Sequence, residues 1–386
     1  MSFGIEEKNA VLRVMNSGVL SGYQGNFSEQ FYGGPEVKAL EKEWAEYFGV
    51  KHAIACNSAT SGLWLTCSAI GLISPFELAT EWDSAINSPD EVIVTPYSMT
   101  CSASIPLHFG AKPVFADIEN DYYCLDPENV EKAITEHTRA IIVVDLFGQP
   151  YDRDAINKLA KDYGKKYGHK IYVVEDAAQA IGAKYKSKYA GTLGDIGVYS
   201  LNRHKHISCG EGGIVVTDND ELAFKLHLAM NHSEAVINSM VGQFIPNDDH
   251  TPLRAFNEAK NGLVGMNMRM PELSAAIARE QLKKLSGILE NIREHAKYFP
   301  VKVRPGCESA YYRYAWNDSD GNDLARYLRE HNLTLPSNGF NFKDHYITPL
   351  FKLPLFKSLG YDQEQCPVCQ EVEENIVLTW LKGSDM

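Results

Sequence analysis

Short apolar runs recur along the first two-thirds of this chain, interleaved with helical patterns. The runs are His52–Cys56, Glu91–Thr95, Pro113–Ala116, Ala140–Val144 and Ile171–Val174. Each is too short for a helix and too apolar for an exposed strand, as in strands buried on both faces. Glu36–Phe48, closed by Gly49, and Asp152–Tyr167 carry the spacing of amphipathic helices. A chain built this way covers its strands by winding helices over a parallel sheet. Val198–Leu201 and Gly213–Thr217 continue the series. The expectation is an α/β domain with a mostly parallel seven-stranded sheet flanked by helices.

Beyond about residue 245 the pattern changes. Pro271–Glu290 places Leu273, Ile277, Leu282, Leu285 and Leu289 at helical spacing, Tyr311–Trp316 reads as a strand, and Asn322–Glu330 as a helix. The aromatics of 311–316 are most simply alternating core and surface residues of that strand. We expect a large domain over residues 1–245 and a smaller C-terminal α+β domain over 246–386, a division that suits 386 residues.

Composition narrows the function. A net charge of -13 argues against a nucleic-acid partner, which favours a basic face. It leaves room for an anionic ligand, since backbone donors and a few cations bind phosphate locally. No run of apolar residues is long enough for a membrane span. The opening Met1-Ser-Phe-Gly-Ile-Glu-Glu-Lys8 lacks a basic segment leading into an apolar one, so a cytoplasmic protein is expected. Cys366-Pro-Val-Cys369 is half of a metal or redox motif with no second CxxC to complete it, so no metal site is expected.

The chemistry concentrates in two segments. Ile171-Tyr-Val-Val-Glu-Asp176-Ala-Ala-Gln179 is an apolar run ending in acid. Tyr199-Ser200-Leu-Asn-Arg-His-Lys205 runs on to Gly210-Glu-Gly-Gly213. Alone, a loop lysine is usually a solvated charge and a strand-end carboxylate usually a cap or ion pair. Together they supply what pyridoxal phosphate needs. An amine can form a Schiff base with its aldehyde, and a buried carboxylate can keep its ring nitrogen protonated. Ser200 can bind its phosphate. Asn57-Ser-Ala59-Thr60-Ser-Gly62 follows the first strand and opens a helix, where orphan N–H groups also suit a phosphate. An ordinary N-cap explains the same residues without a ligand.

Asp176-Ala-Ala-Gln179, Gly191-Thr-Leu-Gly194-Asp195, Tyr199-Ser200, Lys205 and Gly210-Glu-Gly-Gly213 resemble the signature of the DegT-type sugar aminotransferases, from about residue 10 to 380. The resemblance implies a fold-type I pyridoxal-phosphate enzyme with Lys205 and Asp176 catalytic. It implies that Ala59, Thr60 and Ser200 bind the phosphate, and that Gln179 contacts the ring oxygen. It further implies that Asn267, in Gly265-Met-Asn-Met-Arg269, reaches the phosphate of the neighbouring subunit in a homodimer with shared sites. L-glutamate is the implied donor and a nucleotide-linked keto-sugar the implied acceptor.

Several features depart from the family. In Tyr97-Ser-Met99-Thr100 no aromatic falls at the position that usually stacks on the ring, so Met99 or Thr100 is expected there. Leu72–Pro89 is an insertion. Amino-acid aminotransferases of this fold hold the substrate carboxylate with an arginine near the C-terminus, yet residues 330–386 contain none. That absence favours a keto-sugar acceptor. The alternatives are a small phosphorylated ketone as acceptor, a sugar dehydratase in which histidine replaces the lysine (His204 and His206 flank Lys205), and a cofactor-binding regulator without turnover.

Overall fold

The computed structural model describes residues 3–25, 28–72, 90–233, 263–319, 321–336, 340–343 and 347–381. The insertion after Leu72 and the 245/246 domain boundary lie outside the described residues. In chain order the strands of the first part are β1 (His52–Cys56), β2 (Glu91–Val94), β3 (Lys112–Phe115), β4 (Thr138–Val144), β5 (Tyr172–Asp176), β6 (Lys184–Tyr185), β7 (Lys188–Tyr189), β8 (Ile196–Ser200) and β9 (Gly213–Thr217). The later part adds β10 (Cys307–Glu308), β11 (Tyr314–Asn317), β12 (Phe340–Lys343) and β13 (Ile376–Leu381).

Seven strands form the main sheet in the order β1-β9-β8-β5-β4-β2-β3. The β2–β3, β2–β4, β4–β5 and β5–β8 pairs are parallel. β9 runs antiparallel to both neighbours. Two reversals restore the direction, so β1 points the same way as β8 and β5. Six strands therefore deliver their C-terminal ends to one edge, and β9 begins there. That edge is where α/β sheets bind ligands, because the loops leaving it are free to converge.

Local chemistry sets the flanking helices. Pro35–Phe48 starts with proline at its first position and ends at Gly49 with φ 69. Val37, Leu40, Trp44 and Phe48 form its buried stripe. Its orphan N-terminal N–H groups are satisfied from far along the chain: the buried Glu272 carboxylate accepts from Glu36 N–H at 2.7 Å and Val37 N–H at 3.4 Å. Glu272 opens the long helix Glu272–His295, which runs five residues past the Glu290 at which the apolar spacing ends it. That helix packs against Ile5–Ser17 and Pro35–Phe48. Arg153–Tyr167 is capped by Asp152, which accepts Ala155 N–H at 3.1 Å.

In the later part, β11, β13 and β12 make an antiparallel sheet over an aromatic cluster in which Phe299 stacks on Tyr314 with ring centroids 4.8 Å apart. The strand read over 311–316 is corrected to Tyr314–Asn317. Tyr311 has φ 45, a left-handed conformation that breaks the strand pattern. Instead the chain docks on the turn Leu146–Gly148. Ala310 N–H donates to Gly148 O at 2.9 Å, and a Cβ on Gly148 would lie 2.7 Å from Tyr311 N. Only glycine permits that approach.

Candidate active site

The strand ends enclose a cleft of about 630 Å³, within the usual range for a small-molecule site. Its lining includes Ser58, Ala59, Thr60, Met99, Asp176, Gln179, Ser200 and Lys205. A larger groove of about 1120 Å³ elsewhere contains none of these residues.

Ala59 and Thr60 begin the helix Ala59–Ala69. Ser58 caps it, accepting Ser61 N–H at 3.0 Å through Oγ, while its carbonyl accepts Gly62 N–H at 3.0 Å. Among the described residues the Ala59 and Thr60 N–H groups have no acceptor, so the positive end of the helix is open to an anion. Gly213 lets this end sit close to the sheet, since a Cβ there would lie 2.4 Å from Ser58 C and 2.6 Å from Ala59 N. Gly213 pairs with Ser200 across β8 and β9. The Ser200 hydroxyl, 6% exposed, thus shares the edge and accepts Asn202 N–H at 3.3 Å.

Asp176 closes β5 and is 5% exposed. Its Oδ1 accepts Ala178 N–H at 3.1 Å. Burial pushes its carboxyl above the ordinary range, opposed by the Ala178 N–H, the Lys205 ammonium and the Ser102 hydroxyl. A cationic ring nitrogen against it would favour the ionised form. Behind it, Asp145 and Glu175 form a wholly buried acid pair. Burial, then the Glu175 charge, drive Asp145 well upward, and burial raises Glu175 as well. Glu175 also accepts Leu193 N–H at 2.7 Å.

Gln179 is buried, with Oε1 anchored by Phe147 N–H at 3.0 Å. Lys205 is half-buried, and its Nζ lies 4.5 Å from the centroid of the Tyr312 ring. The flanking histidines divide. His204 lines the cleft, whereas His206 is 1% exposed and its Nε2 meets Ala310 O at 2.9 Å. Burial lowers His206 to about 4, so its ring is neutral and locks the lysine loop to the segment before Tyr312.

Met99 is 54% exposed and lines the cleft, while Thr100 precedes the helix Cys101–His108 with no side-chain capping bond and lies outside the lining. Asn267 is exposed outside the cleft, bridging Asn231 and accepting Arg269 N–H at 3.5 Å. Tyr312, Arg313 and Trp380 also line the site; the sequence reading took Tyr312, with the other aromatics of 311–316, as a strand residue and did not single out Arg313 or Trp380. Arg313 Cζ sits 4.2 Å from the Tyr312 centroid and 4.9 Å from that of Trp380. The arginine-free stretch 330–386 therefore does not describe the cleft, which receives its arginine from residue 313. Cys366 and Cys369 are buried free thiols.

An amine, a buried strand-end carboxylate and an open helix N-terminus with a neighbouring hydroxyl form a donor set that fits pyridoxal phosphate. Comparisons with known proteins agree. Spore coat polysaccharide biosynthesis protein SpsC of Bacillus subtilis is 33% identical over 322 residues, 81% of this chain and 72% of that one. A pleiotropic regulatory protein of Geobacillus stearothermophilus is 32% identical over 358 residues, 89% of this chain and 83% of that one. The crystal structure of S. venezuelae DesV superposes with a TM-score of 0.72 at 26% identity, covering 97% of this chain and 88% of that one. The profile of the DegT/DnrJ/EryC1/StrS aminotransferase family matches residues 24–381. This chain belongs to that family and is a pyridoxal-phosphate-dependent aminotransferase.

Proposed function

We propose that the protein moves an amino group from L-glutamate to a keto group of a nucleotide-linked deoxysugar. The observation that carries this reading is the placement of the Lys205 amine and the Asp176 carboxylate in one cleft whose wall includes Asn202, His204, Glu211 and Trp380. Hydrogen-bonding side chains beside an aromatic face suit a sugar. The resemblance to SpsC, named for polysaccharide biosynthesis, supports the same acceptor class.

In this reading Ala59 N–H, Thr60 N–H and the Ser200 hydroxyl hold the cofactor phosphate, Asp176 faces its ring nitrogen and Gln179 orients the ring. When bound, pyridoxal phosphate supplies an aldehyde that captures amines and a ring that withdraws electrons. Lys205 Nζ takes the proton from the donor α-carbon and delivers it elsewhere in the site, then works in reverse for the acceptor. A dehydratase, with histidine in that role, is disfavoured because His206 is turned to Ala310 and Lys205 lines the cleft.

The working form is a homodimer. Met266, next to Asn267 in the chain, exposes its apolar side chain, as do Leu12 and Met15 of the first helix. Asn267 then serves the partner's site, and the protein acts in the cytoplasm. The test follows cofactor absorbance after L-glutamate addition, then adds acceptors to the aminated enzyme. Rapid reoxidation by nucleotide keto-sugars supports the proposal. Reoxidation by free 2-oxo acids or small phosphorylated ketones alone refutes it.

A further inference from the structure

The Lys205 amine must leave the cofactor before it can carry a proton, and its flexible four-carbon stem then lets it swing away from the donor. We propose that the Tyr312 ring is its rest: the ring face holds the released amine in the cleft, apart from Asp176, at the place from which it takes the donor proton. Tyr312 is thus a positioning residue that acts through Lys205. The inference rests on the reading of Lys205 as the proton carrier.

The contact itself is close. Lys205 Nζ lies 4.5 Å from the centroid of the Tyr312 ring, inside the roughly 6 Å at which a ring face attracts an ammonium. Tyr312 is 3% exposed and lines the cleft beside Lys205, so little water screens the attraction.

One hydrogen bond sets the pair in register. His206 Nε2 meets Ala310 O at 2.9 Å, and these residues stand next to Lys205 and just before the Tyr311–Tyr312 pair. The His206 and Tyr312 rings are also in contact, with centroids 5.9 Å apart. Each side is anchored in turn. On the lysine side, Lys205 N–H donates to Asn202 O at 2.9 Å and Arg203 N–H to Gly210 O at 2.8 Å. On the ring side, Ala310 N–H and the Ser309 hydroxyl both donate to Gly148 O, at 2.9 and 3.0 Å. Arg313 braces the same residue, donating from Nη1 to Tyr312 O at 2.7 Å.

The competing rest would harm the chemistry. Asp176 and Glu211 line the same cleft. Burial raises the Asp176 carboxyl, and the Lys205 charge is among the groups that oppose it. An amine seated on Asp176 would stand off the donor carbon and occupy the carboxylate meant for the ring nitrogen. Among the described residues Lys205 forms no salt bridge with either acid. A ring face attracts the amine without offering a carboxylate's hydrogen bonds, so the nitrogen stays available to the donor.

Holoenzymes of wild type, Tyr312→Leu and Tyr312→Phe, each with and without Lys205→Ala, test the proposal. Stopped-flow absorbance with L-glutamate and with its α-deuterated form reads proton removal apart from binding. Tyr312→Leu should slow the amination step about 10- to 30-fold, the loss expected for a desolvated ring–ammonium contact. Its α-deuterium isotope effect should be at least the wild-type value with the Kd for glutamate unchanged, and Tyr312→Phe should recover most of the rate. On Lys205→Ala, where no amine remains to hold, Tyr312→Leu should cost nothing further. A wild-type rate in Tyr312→Leu overturns the proposal, as does a change confined to the glutamate Kd. So does an equal loss on the Lys205→Ala background, which would assign the ring to the substrate, or a smaller isotope effect, which would place the loss outside proton removal. Should Tyr312→Leu fail to retain cofactor, Tyr312→Met, bulky but without a ring face, carries the same comparison. If Lys205→Ala alone keeps wild-type turnover, the reading of Lys205 fails instead, which the Tyr312 variants play no part in showing.

Discussion

Gly213→Ala tests whether the cofactor cradle depends on the close approach of β9 to the helix Ala59–Ala69. The added methyl would sit 2.4 Å from Ser58 C and 2.6 Å from Ala59 N, both backbone atoms that no rotamer change can move. Carbon contacts relax near 3.5 Å, so about 1 Å of displacement is required. The strand cannot supply it, because Gly213 is paired with Cys56 on one side and Ser200 on the other. The helix end must yield, and the Ala59 and Thr60 N–H groups move with it.

Overpacking of this kind costs about 1–3 kcal/mol of stability. Loss of one charge-assisted hydrogen bond to the phosphate removes roughly 1.5–3 kcal/mol of affinity, or about 10- to 150-fold in Kd. Titrating apoenzyme with pyridoxal phosphate measures the second effect, and urea denaturation the first. Gly49→Ala separates them. Gly49 has φ 69 with nothing within 4 Å of a Cβ, so alanine there strains the backbone without touching the cradle. Wild-type cofactor affinity in Gly213→Ala, or equal losses in both variants, would refute the reasoning.

Lys205→Ala should bind cofactor through the remaining cradle yet lose turnover about 10²–10⁴-fold from the missing base alone; in wild type, borohydride followed by peptide mass analysis should place the label on Lys205 and no other lysine. Mixing Lys205→Ala with Asn267→Ala subunits should restore partial activity by leaving one mixed site intact, and light scattering that finds an active monomer would sink the shared-site reading. His206 has a folded value of about 4 against 6.5 unfolded, so the unfolded chain protonates first and stability should fall as pH drops from about 6.5 to 4. Burial puts His227 in the same window, so the assay is the difference between wild type and His206→Gln in urea midpoints: the glutamine variant should flatten part of the slope, by about 3 kcal/mol at most, and parallel curves would contradict the assignment.

The residues legible in the sequence share a physical property. Asp176 and Ser200 close short apolar strands and Ser58 and Lys205 follow them, and the fold turns sequence adjacency to a strand end into adjacency at one sheet edge. Strand direction was less legible. β9, antiparallel to both neighbours, has the same kind of apolar run as the parallel strands of the sheet, because burial on both faces sets composition and pairing sense does not. The aromatic segment failed for a different reason. Tyr312 and Trp316 suggest period two, but Tyr311 is held at φ 45 by tertiary contact with the Gly148 turn, and a tyrosine carries no local signal for that conformation. The count of arginines near the C-terminus is true of the chain but says nothing of the cleft, since position along the chain is not position in space. Arg313 precedes that stretch, yet β11 pairs with β13, whose Trp380 ring lies 4.9 Å from the guanidinium. The residue just before the first strand of the later sheet thus meets, at the cleft, a ring from its last strand in the chain.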